Sequence, residues 1–107
     1  MNDLYTAWLN RFESDERMYI ANAYIETMRE DVEQLKLISN DPRATLSLLH
    51  KMKGGCAQIG IKPINKLIES VEYIIRSESK VYTKEIDILI IKINKSIESL
   101  SEWCVQN

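Results

Sequence analysis

Three glycines and two prolines are the only such residues in the 107-residue chain, too few turn formers for the tight connections of a small all-β sandwich or barrel. Long helices are the economical alternative. The single histidine excludes zinc catalysis through several imidazoles, so any imidazole chemistry has to run through His50. The two cysteines, Cys56 and Cys104, stand far apart with no CxxC-type neighbour, which argues against a metal site and against a disulfide framework. A reducing cytoplasm suits them. Neither sign of charge dominates: 14 Lys+Arg against 16 Asp+Glu give a formal net charge of -2, without the basic excess of a nucleic-acid binder. No stretch approaches the roughly 20 apolar residues of a membrane span. The opening MNDLYTAWLNRFESDER lacks the basic start and apolar run of a signal peptide. No P-loop or other glycine-rich phosphate cradle occurs, so autophosphorylation from ATP is not expected.

What is present is an ordinary soluble balance, 45% hydrophobic and 28% charged, fitting one domain over residues 1–107 with a single modest apolar core. Leu4, Trp8 and Phe12 recur every fourth residue and predict a short amphipathic helix ending near Ser14-Asp15. Asp15 is then a candidate cap for a long helix whose apolar series is Met18, Ala21, Ile25, Met28, Val32 and Leu35. The acidic stretch from Glu26 to Glu33 falls mostly between these positions and reads as a solvated face. Asp41-Pro42 opens the next helix, with Asp41 as cap and Pro42 at its first position. That helix carries Leu49, Met52, Cys56 and Ile59 along one stripe and ends at Gly60, which suits a C-terminal cap. A further helix starts near Pro63 and buries Ile64, Leu67, Ile68, Val71, Ile74 and Ile75. After the polar break Ser77-Glu78-Ser79-Lys80, Thr83 is placed to cap a last helix faced by Ile86, Leu89, Ile90, Ile93, Ile97, Leu100 and Cys104. Its run IDILIIKI has strand propensity, but helical spacing continues to Leu100. Short connections make successive helices antiparallel neighbours, so the expected fold is all-α: an antiparallel up-down four-helix bundle with a short extra N-terminal helix.

The chemistry concentrates in Leu49-His50-Lys51-Met52-Lys53-Gly54-Gly55-Cys56. At about 100° per residue, His50 lies roughly 140° from the centre of its helix's apolar stripe and faces solvent. Gly54 lies one turn further along on the same side, and Gly55 follows it; each costs a helix interior roughly 0.8–1 kcal/mol relative to Ala. Missing side chains there let another protein's surface approach the imidazole closely. Lys53, also within one turn, brings a mobile ammonium near any anion held on the ring. A nucleophilic imidazole, a cation and an open backbone suit phosphoryl transfer. Cys56 falls on the apolar stripe and reads as a core residue. A nucleophilic imidazole also needs an acceptor to hold its second nitrogen, and Glu72, placed at the edge of its helix's apolar face, is the candidate.

His50-Lys51-Met52-Lys53-Gly54, then Ile59-Gly60, Leu67 and Val71-Glu72, resemble the signature of histidine-containing phosphotransfer (HPt) domains of multistep two-component phosphorelays. The segment Phe12-Glu13-Ser14-Asp15-Glu16 ahead of a long amphipathic helix is similar to the lead-in of HPt domains attached to hybrid sensor kinases. The resemblance implies His50 as phospho-acceptor, Lys53 as phosphate-neighbouring cation, Gly54 as clearance residue and Glu72 as the residue orienting the imidazole. It also implies partner contacts at Lys51, Gly55, Gln58 and Lys62, with Lys66 adding to a basic surface. Two positions depart from the usual pattern: Gly55 replaces a small Ser or Ala, and Met52 replaces Leu or another aliphatic.

The function this resemblance implies is reversible carriage of a phosphoryl group between receiver-domain aspartates, without kinase activity in this domain. No cofactor is expected here; Mg²⁺ and an acidic pocket belong to the partner receiver. An isolated domain of this kind is expected to be a monomer that contacts receivers of a hybrid kinase or response regulator, with no nucleic acid and no direct membrane contact. The expected location is cytoplasmic, as a free-standing carrier or as the C-terminal module of an inner-membrane hybrid sensor kinase, the lead-in favouring the module. The competing reading is a degenerate bundle acting as a non-catalytic protein-binding adaptor.

Overall fold

The computed structural model describes residues 6–77 and 81–107. A short 3-10 helix (Ala7–Arg11) precedes four α-helices: α1 (Ser14–Ile38), α2 (Pro42–Ile59), α3 (Lys62–Arg76) and α4 (Thr83–Gln106). They form the up-down bundle expected from the stripe pattern. Helix α1 packs on α2 and α4, and α3 packs on the same two, so the core runs along the axis of a ring of four. From α1 it takes Ala21, Tyr24, Ile25, Met28, Val32 and Leu35, and from α4 Ile86, Leu89, Ile93, Ile97 and Leu100. The IDILIIKI run is helical, with Ile88 and Ile91 left exposed on the outer face. Its β-branched residues would pack as well on a sheet, and burial of Ile86, Leu89 and Ile93 at helical spacing decides the outcome.

The helix ends follow local chemistry with two shifts. Asp41 caps α2 by accepting from the Ala44 N–H at 3.2 Å, with Pro42 in the first turn. Thr45 Oγ1 donates to the Ile38 carbonyl at 3.0 Å, satisfying an orphan acceptor at the end of α1. At the start of α1, Glu13 occupies the cap position and Asp15 sits inside the first turn. There Asp15 favours the helix through the positive end of the dipole rather than through a cap bond. Likewise Tyr82 precedes α4, and Thr83 is its first helical residue.

The N-terminal segment forms a 3-10 turn instead of an α-helix. Leu4, the first member of its expected stripe, lies outside the described residues, as do Glu78, Ser79 and Lys80 of the polar break. In the described part the adjacent residues Trp8 and Leu9 are buried, which one tight turn achieves and a four-residue stripe does not. Trp8 packs edge-on to Phe12 at 6.3 Å and against Tyr24 at 5.9 Å between ring centroids. Arg17 closes the segment by donating from Nε to the Leu9 and Phe12 carbonyls at 3.1 and 2.9 Å. Deeper in the core, Ser96 Oγ donates to the Ile93 carbonyl at 2.6 Å, so the 2.8 Å contact between Ser96 Oγ and Tyr24 has the phenol as donor. This satisfied pair ties α1 to α4.

Helix α2 ends at Gly60, whose φ of 79° lies in the left-handed region. The Cys56 carbonyl accepts from both the Gly60 and Ile61 N–H groups, at 2.9 and 3.1 Å, which closes the helix in the manner of a Schellman turn. A Cβ at Gly60 would also run into the Arg11 guanidinium. By contrast, a Cβ added at Gly54 or Gly55 would meet nothing within 4 Å among the described residues. The expected outcomes are therefore opposite in sign. In chemical denaturation Gly60→Ala should lower the unfolding free energy by about 1–2 kcal/mol, the cost of left-handed backbone for an L-residue. Gly54→Ala should raise it by about 0.8–1 kcal/mol, the helix-propensity difference.

Candidate functional site

Helix α2 gives the core Thr45, Leu49, Met52 and Cys56. With that face committed inward, the residues between Leu49 and Met52 are rolled outward, and His50 is exposed. Among the described residues its imidazole has no hydrogen bond or ion pair. Gly54 and Gly55 are exposed one turn further along. The surface around the ring is therefore bare backbone on one side and lysines on the other two.

Those lysines are held in place. On the α3 side, Lys53 Nζ lies 3.0 Å from Glu72 Oε1, with the glutamate side chain only 2% exposed. Glu72 sits within the buried stripe of α3, between Val71 and Ile75, rather than at the interface edge expected from sequence. It does reach across to α2, and the group it meets there is Lys53, not the imidazole. Its other oxygen, Oε2, lies 3.6 Å from Arg76 Nη2 and is buried without a hydrogen bond. A carboxylate taken out of water is costly unless charged partners offset it, and here Lys53 and Arg76 do so.

The Lys53–Glu72 bond also marks the register of two antiparallel helices. His50 lies three residues from Lys53 and Arg76 four residues from Glu72, in the same direction along the bundle, about 4.5 and 6 Å of helix rise. Arg76 thus stands level with His50. On the α1 side, Lys51 Nζ is 2.9 Å from Asp31 Oδ1, the lysine 65% and the aspartate 4% exposed. Sequence reasoning missed both Arg76 and Asp31. For Arg76 the signal was its i,i+4 spacing from Glu72. For Asp31 it was the spacing 24, 28, 31, 35, which puts it on the buried face of α1, whereas Glu26, Glu30 and Glu33 are exposed as expected of a solvated stretch.

The remaining candidates lie farther along α2. Gly55 and Gln58 border an apolar cleft of about 270 Å³ between α1 and α2, walled by Tyr19, Ile20, Thr27 and Met28. Lys62 and Lys66 are exposed at the start of α3, about 20 and 14 Å along the bundle from His50 by helix rise. They form a charge patch at that end of the molecule and not beside the imidazole. Among the described residues no group of three His, Cys, Asp or Glu side chains is placed to hold a metal ion. Nor is any described helix long and apolar enough to cross a membrane.

Cys56 is fully buried, and its thiol is pushed up to about 12, first by burial and then by the charge of Asp31. It holds no thiolate at neutral pH, so it is a core residue and not a competing nucleophile. Cys104, half-buried, is raised by burial as well. A thiol probe at pH 8 should therefore label Cys104 well before Cys56 in the folded protein. The unfolded chain ionises Cys56 near the ordinary thiol value of 9.0 and the folded chain only at about 12. Its contribution to stability is thus complete below pH 9 and is lost as pH rises toward 12. Urea denaturation at pH 8 and pH 10.5 should show a smaller fall in stability for Cys56→Val than for the natural chain.

A bare histidine on a rigid helix, flanked by cations and by glycines with open space above them, agrees with the comparison against protein families. The Hpt domain model matches residues 20–103, taking in most of α1 and α4 and all of α2 and α3. No curated protein and no solved structure matches the chain. The family's role is phosphotransfer in two-component signalling, through interaction with receiver domains. With more than half of its length matched, the chain belongs to the Hpt domain family.

Proposed function

We propose that this domain is a phosphorelay intermediate that accepts a phosphoryl group on His50 from a receiver-domain aspartate and returns it, reversibly, to a receiver aspartate of a response regulator. In the forward step a ring nitrogen of His50 attacks the phosphorus of the aspartyl phosphate. The N–P bond forms, the P–O bond to the aspartate breaks, and the carboxylate leaves with the electron pair. The second ring nitrogen keeps its proton or gives it to water. The reverse step retraces the same bonds. Mg²⁺ and the acidic pocket are contributed by the receiver, and this chain contributes the nucleophile and its surroundings.

The observation that carries this reading is the pair Gly54 and Gly55. Both weaken α2, and among the described residues nothing occupies the space above either. Residues that cost stability and serve no internal packing are explained by a partner that has to come close. What it would approach is His50, on the same side as Gly54 and one turn back, with Gly55 about 140° round toward α1. Lys53, within one turn of His50 on that helix and held there by Glu72, brings a cation near charge on the phosphorylated ring. The apolar cleft beside Gly55 and Gln58, with the exposed Tyr19 at its wall, supplies a surface that a receiver can bury.

The test is transfer of labelled phosphate from receiver domains phosphorylated with acetyl phosphate and Mg²⁺. The natural chain should acquire acid-labile, alkali-stable phosphate, and His50→Gln should acquire none. Gly54→Gln should be more stable than the natural chain and yet slower in transfer by about tenfold or more, since a small displacement from reacting geometry costs on the order of 10²-fold. No label on the natural chain, or equal label on His50→Gln, overturns the reading.

A further inference from the structure

Asp31 is a buried carboxylate on α1 with no part in the chemistry described above. Its side chain is 4% exposed, and its Oδ1 takes the Lys51 ammonium at 2.9 Å. The position lies on the apolar face of α1, between Met28 and Leu35, where a hydrophobic residue would pack without any electrostatic cost. Asp31 also lies close enough to the α2 face for its charge to act on the buried Cys56 thiol. An ion pair between two exposed groups contributes little and leaves both side chains free to move. Here one member cannot return to water, so the other is held.

The direction in which Lys51 is held is informative. Around α2 it lies about 100° from His50 on one side, and Lys53 about 60° on the other. Each ammonium is bound by a buried carboxylate of the neighbouring helix, Asp31 from α1 and Glu72 from α3. His50 therefore stands between two lysines fixed by separate devices. We infer that Asp31 is a positioning residue of the docking surface: it holds Lys51 as a fixed positive charge on the α1 side of His50, where it meets the acidic phosphoryl-accepting pocket of a receiver domain. This rests on the phosphotransfer reading and adds a second anchored cation to it. Fixing the ammonium in advance removes the cost of ordering a long side chain on binding, and charge complementarity at an interface sets orientation and encounter rate.

The sign of one substitution separates this role from general electrostatics. Asp31→Leu removes a negative charge and leaves Lys51 in place but unanchored. If only net charge mattered, an acidic receiver would bind the variant more tightly. If Asp31 positions Lys51, the receiver binds more weakly, by about three- to tenfold, the range of a modest interface charge contribution. Lys51→Met should weaken binding by a similar factor, and the double variant Asp31→Leu/Lys51→Met by no more than either alone. The measurement is the dissociation constant for the receiver that phosphorylates the natural chain, with thermal unfolding followed by circular dichroism in parallel. Leu suits the buried position; should that variant fail to fold, Asp31→Asn, which keeps an uncharged acceptor, provides the same sign test. Binding by the Asp31 variants equal to or tighter than the natural chain, or single effects that multiply in the double variant, overturns the inference while phosphotransfer to His50 stands. Absence of phosphotransfer to the natural chain removes both.

Discussion

A helix can give only one face to a core, and α2 gives Thr45, Leu49, Met52 and Cys56. Everything at the site depends on that commitment. Burial of Leu49 and Met52 rolls His50 into solvent, turns Lys51 toward α1 and Lys53 toward α3, and leaves Gly54 and Gly55 as uncovered backbone. Cys56 is both fully buried and the acceptor at the end of the helix, its carbonyl taking the Gly60 and Ile61 N–H groups. The packing that fixes the rotation of α2 therefore also fixes its length. A rotation of one residue would bury the imidazole and expose apolar side chains, and the hydrophobic term of roughly 1.5–3 kcal/mol for each such side chain resists it.

The two buried carboxylates are the second constraint. Asp31 and Glu72 lie on different helices, each facing α2 and each bound to a lysine that flanks His50. Hydrophobic residues at both positions would make an ordinary helix seam. Carboxylates at those places exchange stability for placement, a trade found where function sets the geometry. They do not compete for the same cation, because α1 and α3 approach α2 from different sides. His50 itself is left without a partner among the described residues, and the groups around it are the ones held still.

The four-helix pattern was legible in the sequence because apolar stripes at helical spacing, Asp41-Pro42 and Gly60 are local signals read on local physics. His50, Lys53 and Gly54 were legible for the same reason, since all lie on one helix and their mutual placement follows from its period. Asp31 and Glu72 were harder. Their contacts join residues 20 and 19 positions apart through the rotation and register of two helices, which no single stripe determines. Asp31 was read among its acidic neighbours as solvated, although its spacing from Met28 and Leu35 puts it on the buried face. Glu72 was rightly expected to reach α2, but the choice between Lys53 and His50 as its partner depends on fractions of a turn. The short N-terminal helix was legible from Trp8 and Phe12, both of which meet the core, but its 3-10 type and the burial of the adjacent Leu9 were not, because a single tight turn leaves too little periodicity to distinguish helix types.

The bare backbone at Gly54, beside His50, lies on a convex helix and not in a cleft. A ligand enclosed by a cleft can be handed on while a second molecule waits at the entrance. A histidine on a convex ridge offers no such arrangement: whichever partner covers it excludes the next by volume alone. On the phosphorelay reading, donor and acceptor must then take turns on one surface, and the phosphoryl group has to wait on the imidazole during the changeover. On that reading the time between departure and arrival would make the protein a short-lived store of signal, with partner concentration deciding where that signal goes.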